Sequence, residues 1–184
     1  MFTLKLGLLG SAAALALATG FAAGAAVLSP ASGFTAMPDG VAENPTPVSL
    51  AALHSGLCLE IENASPDYGA SARQAACTGG ANQLVRFDEP TGHLIMEHSG
   101  MCLEVSTRIV SEGSPIWQAP CTEGAVLQAF VPSAPLTRGA SVTIVTSTGR
   151  CLNVEDGSLD AGARIVQSSC DPNSASQIWK VLAN

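Results

Sequence analysis

His98-Ser99-Gly100-Met101-Cys102-Leu103-Glu104-Val105 has a near copy 44 residues earlier, His54-Ser55-Gly56-Leu57-Cys58-Leu59-Glu60-Ile61, and a looser one 49 residues later, Ser147-Thr148-Gly149-Arg150-Cys151-Leu152-Asn153-Val154. The agreement runs on past these eight residues. A glycine follows each leading cysteine by eleven positions (Gly69, Gly113, Gly162) and a second cysteine follows it by nineteen (Cys77, Cys121, Cys170). A glutamine comes six or seven residues after that (Gln83, Gln128, Gln177), with Val85, Phe130 or Trp179 two places further on. A period of 40 to 50 residues marks a fold built from like units, none of which can bury its apolar face alone.

Within each unit the pattern is that of short strands. Leu59 and Ile61 share one face while Glu60 takes the other, and Leu103 with Val105 and Leu152 with Val154 repeat the arrangement, because side chains alternate across a strand. Gly56, Gly100 and Gly149 stand just before these strands, where a tight turn needs glycine. Helical periodicity is absent from the repeats, and prolines at 66, 90, 115, 120, 132, 135 and 172 break up any long helix. The expectation is an all-β domain over residues 48–184, with units at about 48–90, 91–137 and 138–184.

Six cysteines allow fifteen connectivities, and spacing alone does not choose among them. The equal separation of nineteen favours Cys58 with Cys77, Cys102 with Cys121 and Cys151 with Cys170. Each closed loop is then worth roughly 3 kcal/mol by chain entropy. Free thiols are the alternative, and no C-x-x-C pair points to zinc. Such bridges imply an oxidising compartment.

The N-terminus agrees with that compartment. Lys5 precedes an apolar, small-residue stretch to about Leu28, and Ala23-Gly24-Ala25 offers a cleavage site. Residues 1–28 are therefore expected to be a secretory signal peptide. The alternative is an uncleaved anchor holding the domain outside the cytoplasm, since about twenty apolar residues span a bilayer. Residues 29–47, rich in Pro, Ala, Gly and Ser, have the character of a linker. Without Lys5 the chain has seven basic against fifteen acidic residues, which argues against nucleic acid or an anionic membrane as partner.

The G-x-C-L-x-[IV] start, the second cysteine and the Gln177-Ile178-Trp179 ending resemble the ricin B-type lectin repeat. The resemblance covers about 135 residues and implies a β-trefoil of three repeats, with roughly twelve strands in a barrel and hairpin cap. It departs from the family at Val85 and Phe130, which stand in place of tryptophan. The third residue of the ending should face the core, and the glutamine should satisfy backbone groups in a turn.

The family binds sugar on each repeat, and the resemblance implies an acid two residues after the first cysteine, an aromatic two before the second, and an asparagine beside the glutamine. The acid accepts from sugar hydroxyls, the aromatic stacks on the ring, and the amide completes a polar clamp. The first repeat offers Glu60 and Asn82 but has Ala75 in the aromatic slot, with Tyr68 and Arg73 as the nearest substitutes. The second offers Glu104, with Ala119 and Leu127 in the other slots and Trp117 as a displaced platform. The third has Asn153, Ser168 and Ser176. No repeat keeps the whole clamp, and the first keeps most of it.

Other chemistry is thin. His54 and His98 occupy equivalent positions and should be held apart as turn residues. Asp156-Gly157-Ser158-Leu159-Asp160 lacks the acidic positions of a calcium loop. Asp88-Glu89 and the Glu60, Glu62 pair are not placed on a cleft, and no nucleophile and base stand out. Asn63-Ala64-Ser65 is a glycosylation acceptor only in a host that glycosylates asparagine. No cofactor, metal or catalysis is expected. The resemblance implies a secreted module for attachment to a galactose-like or other glycan. The alternative is a protein-interaction scaffold, such as the binding subunit of a toxin or enzyme complex.

Overall fold

The computed structural model describes residues 46–106 and 110–182; the expected signal peptide or anchor and most of the expected linker lie outside them. Thirteen short strands and five single 3-10 turns make up the domain, an all-β fold with no longer helix among the described residues. No helix there is long and apolar enough to cross a membrane.

The first two repeats contribute four strand segments each and the third contributes five. In the first these are β1 (Ser49–Ala52), β2 (Cys58–Ile61), β3 (Ala72–Ala75) and β4 (Val85–Asp88). In the second they are β5 (His93–Met96), β6 (Cys102–Val105), β7 (Ile116–Ala119) and β8 (Phe130–Pro132). The third comprises β9 (Ser141–Val142) and β10 (Ile144–Thr146), then β11 (Cys151–Val154), β12 (Ile165–Ser168) and β13 (Trp179–Leu182). The thirteenth strand arises because the third repeat's first strand is broken at Thr143: β9 pairs with β13 while β10 pairs with β8.

The fourth strand of each repeat pairs antiparallel with the first strand of the next: β4 with β5, β8 with β10, and β13 back onto β1. Val48 bridges Val85, and the Phe130 N–H donates to the Gly92 carbonyl, so the ring closes. A Cβ at Gly92, where φ is +73°, would lie 3.1 Å from the Phe130 carbonyl oxygen, which is why a glycine stands at this closure. The hairpins β2–β3, β6–β7 and β11–β12 cap one end. They touch pairwise through the bridges Ser71–Trp117, Pro115–Val166 and Arg73–Arg164, always the outer strand of one repeat against that of the next.

The core has the same threefold form. Leu59 and Ile61, Leu103 and Val105, and Leu152 and Val154 all point inward and are buried, as are Val85, Phe130 and Trp179. Three apolar residues of different size thus fill equivalent places. The largest, Trp179, also donates its indole N–H to the Leu152 carbonyl at 3.2 Å. The three disulfides are Cys58–Cys77, Cys102–Cys121 and Cys151–Cys170, the pairing that equal spacing favoured.

Three glutamines three residues before the second cysteines carry the contacts between repeats. Gln74, Gln118 and Gln167 are completely buried. Gln118 Nε2 donates to the Ser65 and Asp67 carbonyls of the first repeat at 2.7 and 2.9 Å, and its Oε1 accepts from Ser99 Oγ at 2.8 Å. Gln74 does the same to Ser158 and Asp160 of the third repeat, with Ser55 as donor. Gln167 donates to the Ser111 carbonyl of the second repeat. Each repeat therefore grips the loop of the repeat before it through a buried, hydrogen-bonded amide.

Candidate functional site

The side chain two residues after each leading cysteine sits at the middle of a cap hairpin, with a fixed cross-strand neighbour. The register sets Glu60 opposite Arg73, Glu104 opposite Trp117, and Asn153 opposite Val166. Behind each lies a 3-10 turn ending in the motif glutamine: Ala81–Gln83, Val126–Gln128 and Ala175–Gln177. These glutamines act on the turn as the sequence led us to expect. Gln83 Oε1 accepts from the Thr78 N–H at 2.7 Å and its Nε2 donates to the Ala76 carbonyl at 2.8 Å. Gln128 bonds the Thr122 N–H and Pro120 carbonyl, and Gln177 the Asp171 N–H and Ser169 carbonyl.

In the first repeat Glu60 is half-buried, and both amide donors address one of its oxygens. Oε2 accepts from Gln83 Nε2 at 2.9 Å and from Asn82 Nδ2 at 3.4 Å, while Asn82 also donates to the Ile61 carbonyl at 3.3 Å. Glu60 and Asn82, expected to act together, are thus in contact, and Gln83 joins them. Arg73 forms an ion pair with Glu62 at 2.9 Å and donates from Nη1 to the Gly162 carbonyl at 2.9 Å, so it ties the first repeat to the third repeat's loop.

Tyr68, 60 % exposed, carries its ring 5.9 Å from that of Trp117 at an interplanar angle of 58°, so it packs on the second repeat's hairpin. The cause is the threefold closure, which sets each repeat's glycine loop against the next repeat's hairpin. Trp117 Nε1 in turn donates to Glu104 Oε1 at 3.0 Å, and Gln128 Nε2 donates to Glu104 Oε2 at 2.8 Å. Glu104 is only 8 % exposed. Its two oxygens face protein donors, and the aromatic pair outside it is the part of this site that meets solvent.

The third repeat holds a cleft of about 450 Å³ whose walls include Asn153, Ser168, Ser176, Val166, Asp156 and, from the preceding repeat, Glu112. Asn153 Oδ1 is buried without a hydrogen-bond partner. Glu112 accepts from the Ser169 N–H at 2.9 Å, from Ser169 Oγ at 3.1 Å and from Arg150 Nε at 3.3 Å. The Ser169 backbone N–H above all, then the Ser169 hydroxyl and Arg150, hold its carboxyl below the usual carboxylate range against the loss of hydration. Sequence reasoning did not single out Glu112 or the buried glutamines 74, 118 and 167. The glutamines were findable, since they share one offset from the second cysteine in all three copies; Glu112 shares its position with Tyr68 and Ala161 and carried no such signal.

His54 Nε2 lies 2.9 Å from the Ser158 carbonyl and His98 Nε2 3.0 Å from that of Ser65, so the two rings serve separate inter-repeat turns.

Comparison with known proteins gives a consistent picture. The family described as ricin-type beta-trefoil lectin domain matches residues 46–179. The sequence matches no curated protein. Among solved structures, a designed 3-fold symmetric protein, ThreeFoil, is 31% identical with a TM-score of 0.68, over 75% of this chain and 99% of that one. The C-half of an earthworm R-type lectin, in complex with GalNAc, is 19% identical with a TM-score of 0.62, over 76% and 100%. An exo-beta-1,3-galactanase from Clostridium thermocellum is 23% identical with a TM-score of 0.66, over 76% of this chain and 30% of the enzyme.

Proposed function

Because the chain belongs to the ricin-type β-trefoil lectin family, we propose that it is a non-catalytic, exported carbohydrate-binding module that attaches to glycans through its first repeat. The observation that carries this reading is the Glu60 carboxylate held by Asn82 and Gln83 through Oε2. Oε1 is then turned to accept from sugar hydroxyls, and the amide donors are already oriented, so little ordering entropy is left to lose on binding. A galactose-type sugar is the first ligand to test, since the earthworm neighbour was solved with GalNAc. Three disulfides suit an oxidising compartment outside the cytoplasm.

A second reading is a scaffold for a separate toxin or enzyme chain. It is favoured by Ala75, Ala119 and Ser168 in the three aromatic slots and by the sealing of Glu104 under Trp117 and Gln128. A glycan array on the oxidised protein, with free galactose as competitor, separates the two. Glycan binding that drops at least about tenfold in Glu60→Gln, equivalent to about 1.4 kcal/mol, supports the lectin. A folded, oxidised protein that binds no glycan refutes the lectin and leaves the scaffold.

A further inference from the structure

The three disulfides are covalent copies of one another, each with a separation of 19 residues and a Cα–Cα distance of 5.0 Å. In each, the leading sulfur residue (Cys58, Cys102, Cys151) is buried and the trailing one (Cys77, Cys121, Cys170) is exposed. Their neighbourhoods differ in the strand paired with the leading cysteine: Ala51 aligns with Cys58 and Ile95 with Cys102, while Val145 aligns with Cys151. Two residues before these stand Ser49, His93 and Thr143. The middle bridge alone has an imidazole there. His93 is 5 % exposed, and its ring nitrogen and the sulfurs of Cys102 and Cys121 lie within 4.8 Å of one another.

We propose that reduction of Cys102–Cys121 turns this trio into a Zn²⁺ site with two thiolate ligands and one imidazole. Tetrahedral zinc takes Zn–S of about 2.3 Å and Zn–N of about 2.0–2.1 Å, which sets ligand atoms roughly 3.5–3.8 Å apart. Once the bond is reduced the two sulfurs must move apart to that spacing, while the imidazole nitrogen already lies within 4.8 Å of both. The fourth position faces solvent on the Cys121 side and takes water. The chemistry balances with a phosphine as reductant: the S–S bond breaks, the phosphine becomes its oxide with oxygen from water, and that water's two protons complete the two thiols. Zinc then displaces both thiol protons and takes the neutral imidazole. With oxygen or another oxidant the bridge re-forms and the metal is released. Ser49 and Thr143 supply hydroxyls, weak ligands for this ion, so the other two bridges yield no such site.

The test uses the full chain, reduced with a phosphine and freed of excess reagent, and titrated with Zn²⁺ against a chromogenic chelator, with near-UV circular dichroism to follow the fold. The oxidised protein is expected to bind no zinc and the reduced protein one per chain, although six thiols are then available. Zinc should protect Cys102 and Cys121 from alkylation, read by mass spectrometry, and leave the other four reactive. His93→Ser, which installs the first repeat's residue, should weaken binding at least about tenfold. Should that variant fail to fold when oxidised, the alkylation pattern of the unaltered protein decides. Zero or three zinc ions per chain, protection of a different pair, unchanged affinity in a folded His93→Ser, or loss of the near-UV signal on reduction would each overturn the proposal.

Discussion

Replacing Glu104 by alanine removes the common acceptor of two donors, the half-buried Trp117 Nε1 at 3.0 Å and the buried Gln128 Nε2 at 2.8 Å. Hydrogen bonds to a charged group contribute about 1.5–3 kcal/mol each, and a buried donor left unpaired costs about 1–3 kcal/mol. Relief of the carboxylate's own desolvation offsets part of this, leaving an expected loss of about 3 kcal/mol. Glu60 occupies the equivalent place but is half-buried, and Asn82 keeps its bond to the Ile61 carbonyl, so Glu60→Ala should cost only about 1 kcal/mol. Urea denaturation of the two oxidised variants reads the difference. At a slope near 2 kcal/mol/M, the expected gap of about 2 kcal/mol separates their midpoints by about 1 M. Glu104→Gln, which keeps one acceptor, should fall between Glu104→Ala and the unaltered protein. Stabilities of Glu104→Ala and Glu60→Ala within about 0.5 kcal/mol of each other would refute the claim that one acid serves the fold and its repeat partner serves a ligand.

Trp179→Val, which copies the first repeat's residue into the third, opens a void in a fully buried place and should cost about 3 kcal/mol in the same assay. Gln118→Ala removes its two bonds to the Ser65 and Asp67 carbonyls, which keep only His98 Nε2 and the Ala70 N–H as partners. It should cost about 2–3 kcal/mol and speed hydrogen exchange at the Gly69 amide, which donates to the Gln118 carbonyl. Because the Glu112 carboxyl is held below its ordinary 4.5 in the folded chain, the unfolded chain binds the proton first as pH falls. Its contribution to stability is therefore present above pH 4.5 and lost as pH falls through the lower folded value. Glu112→Gln should make the acid limb of the stability–pH curve shallower and leave its shape near pH 7 unchanged, as measured by urea midpoints between pH 3 and 7.

The repeat, the strand parity and the disulfide pairing were legible in the linear chain because they are local. Leu59 and Ile61 face inward by alternation alone, and nineteen residues between cysteines is a property of one repeat. The motif glutamines were legible for the same reason, since each bonds a turn only a few residues away. Glu60 with Asn82 and Gln83 lies within a single repeat, and its members were recognisable from their offsets.

What the linear chain left open is every contact made when three repeats close into one ring. Tyr68 belongs to the first repeat by position yet packs on Trp117 of the second. Glu112 is a second-repeat residue that lines the third repeat's cleft. Closure places the glycine loop of each repeat against the hairpin of the next, and no spacing inside a repeat encodes that juxtaposition. The amino-acid sequence by itself determined a threefold, disulfide-stapled β domain with acids on its hairpins. Only the tertiary structure decided which acid is sealed and which meets solvent, because that depends on whether the cross-strand neighbour is a tryptophan that covers the carboxylate, as at Glu104, or an arginine drawn away to Glu62 and Gly162, as at Glu60.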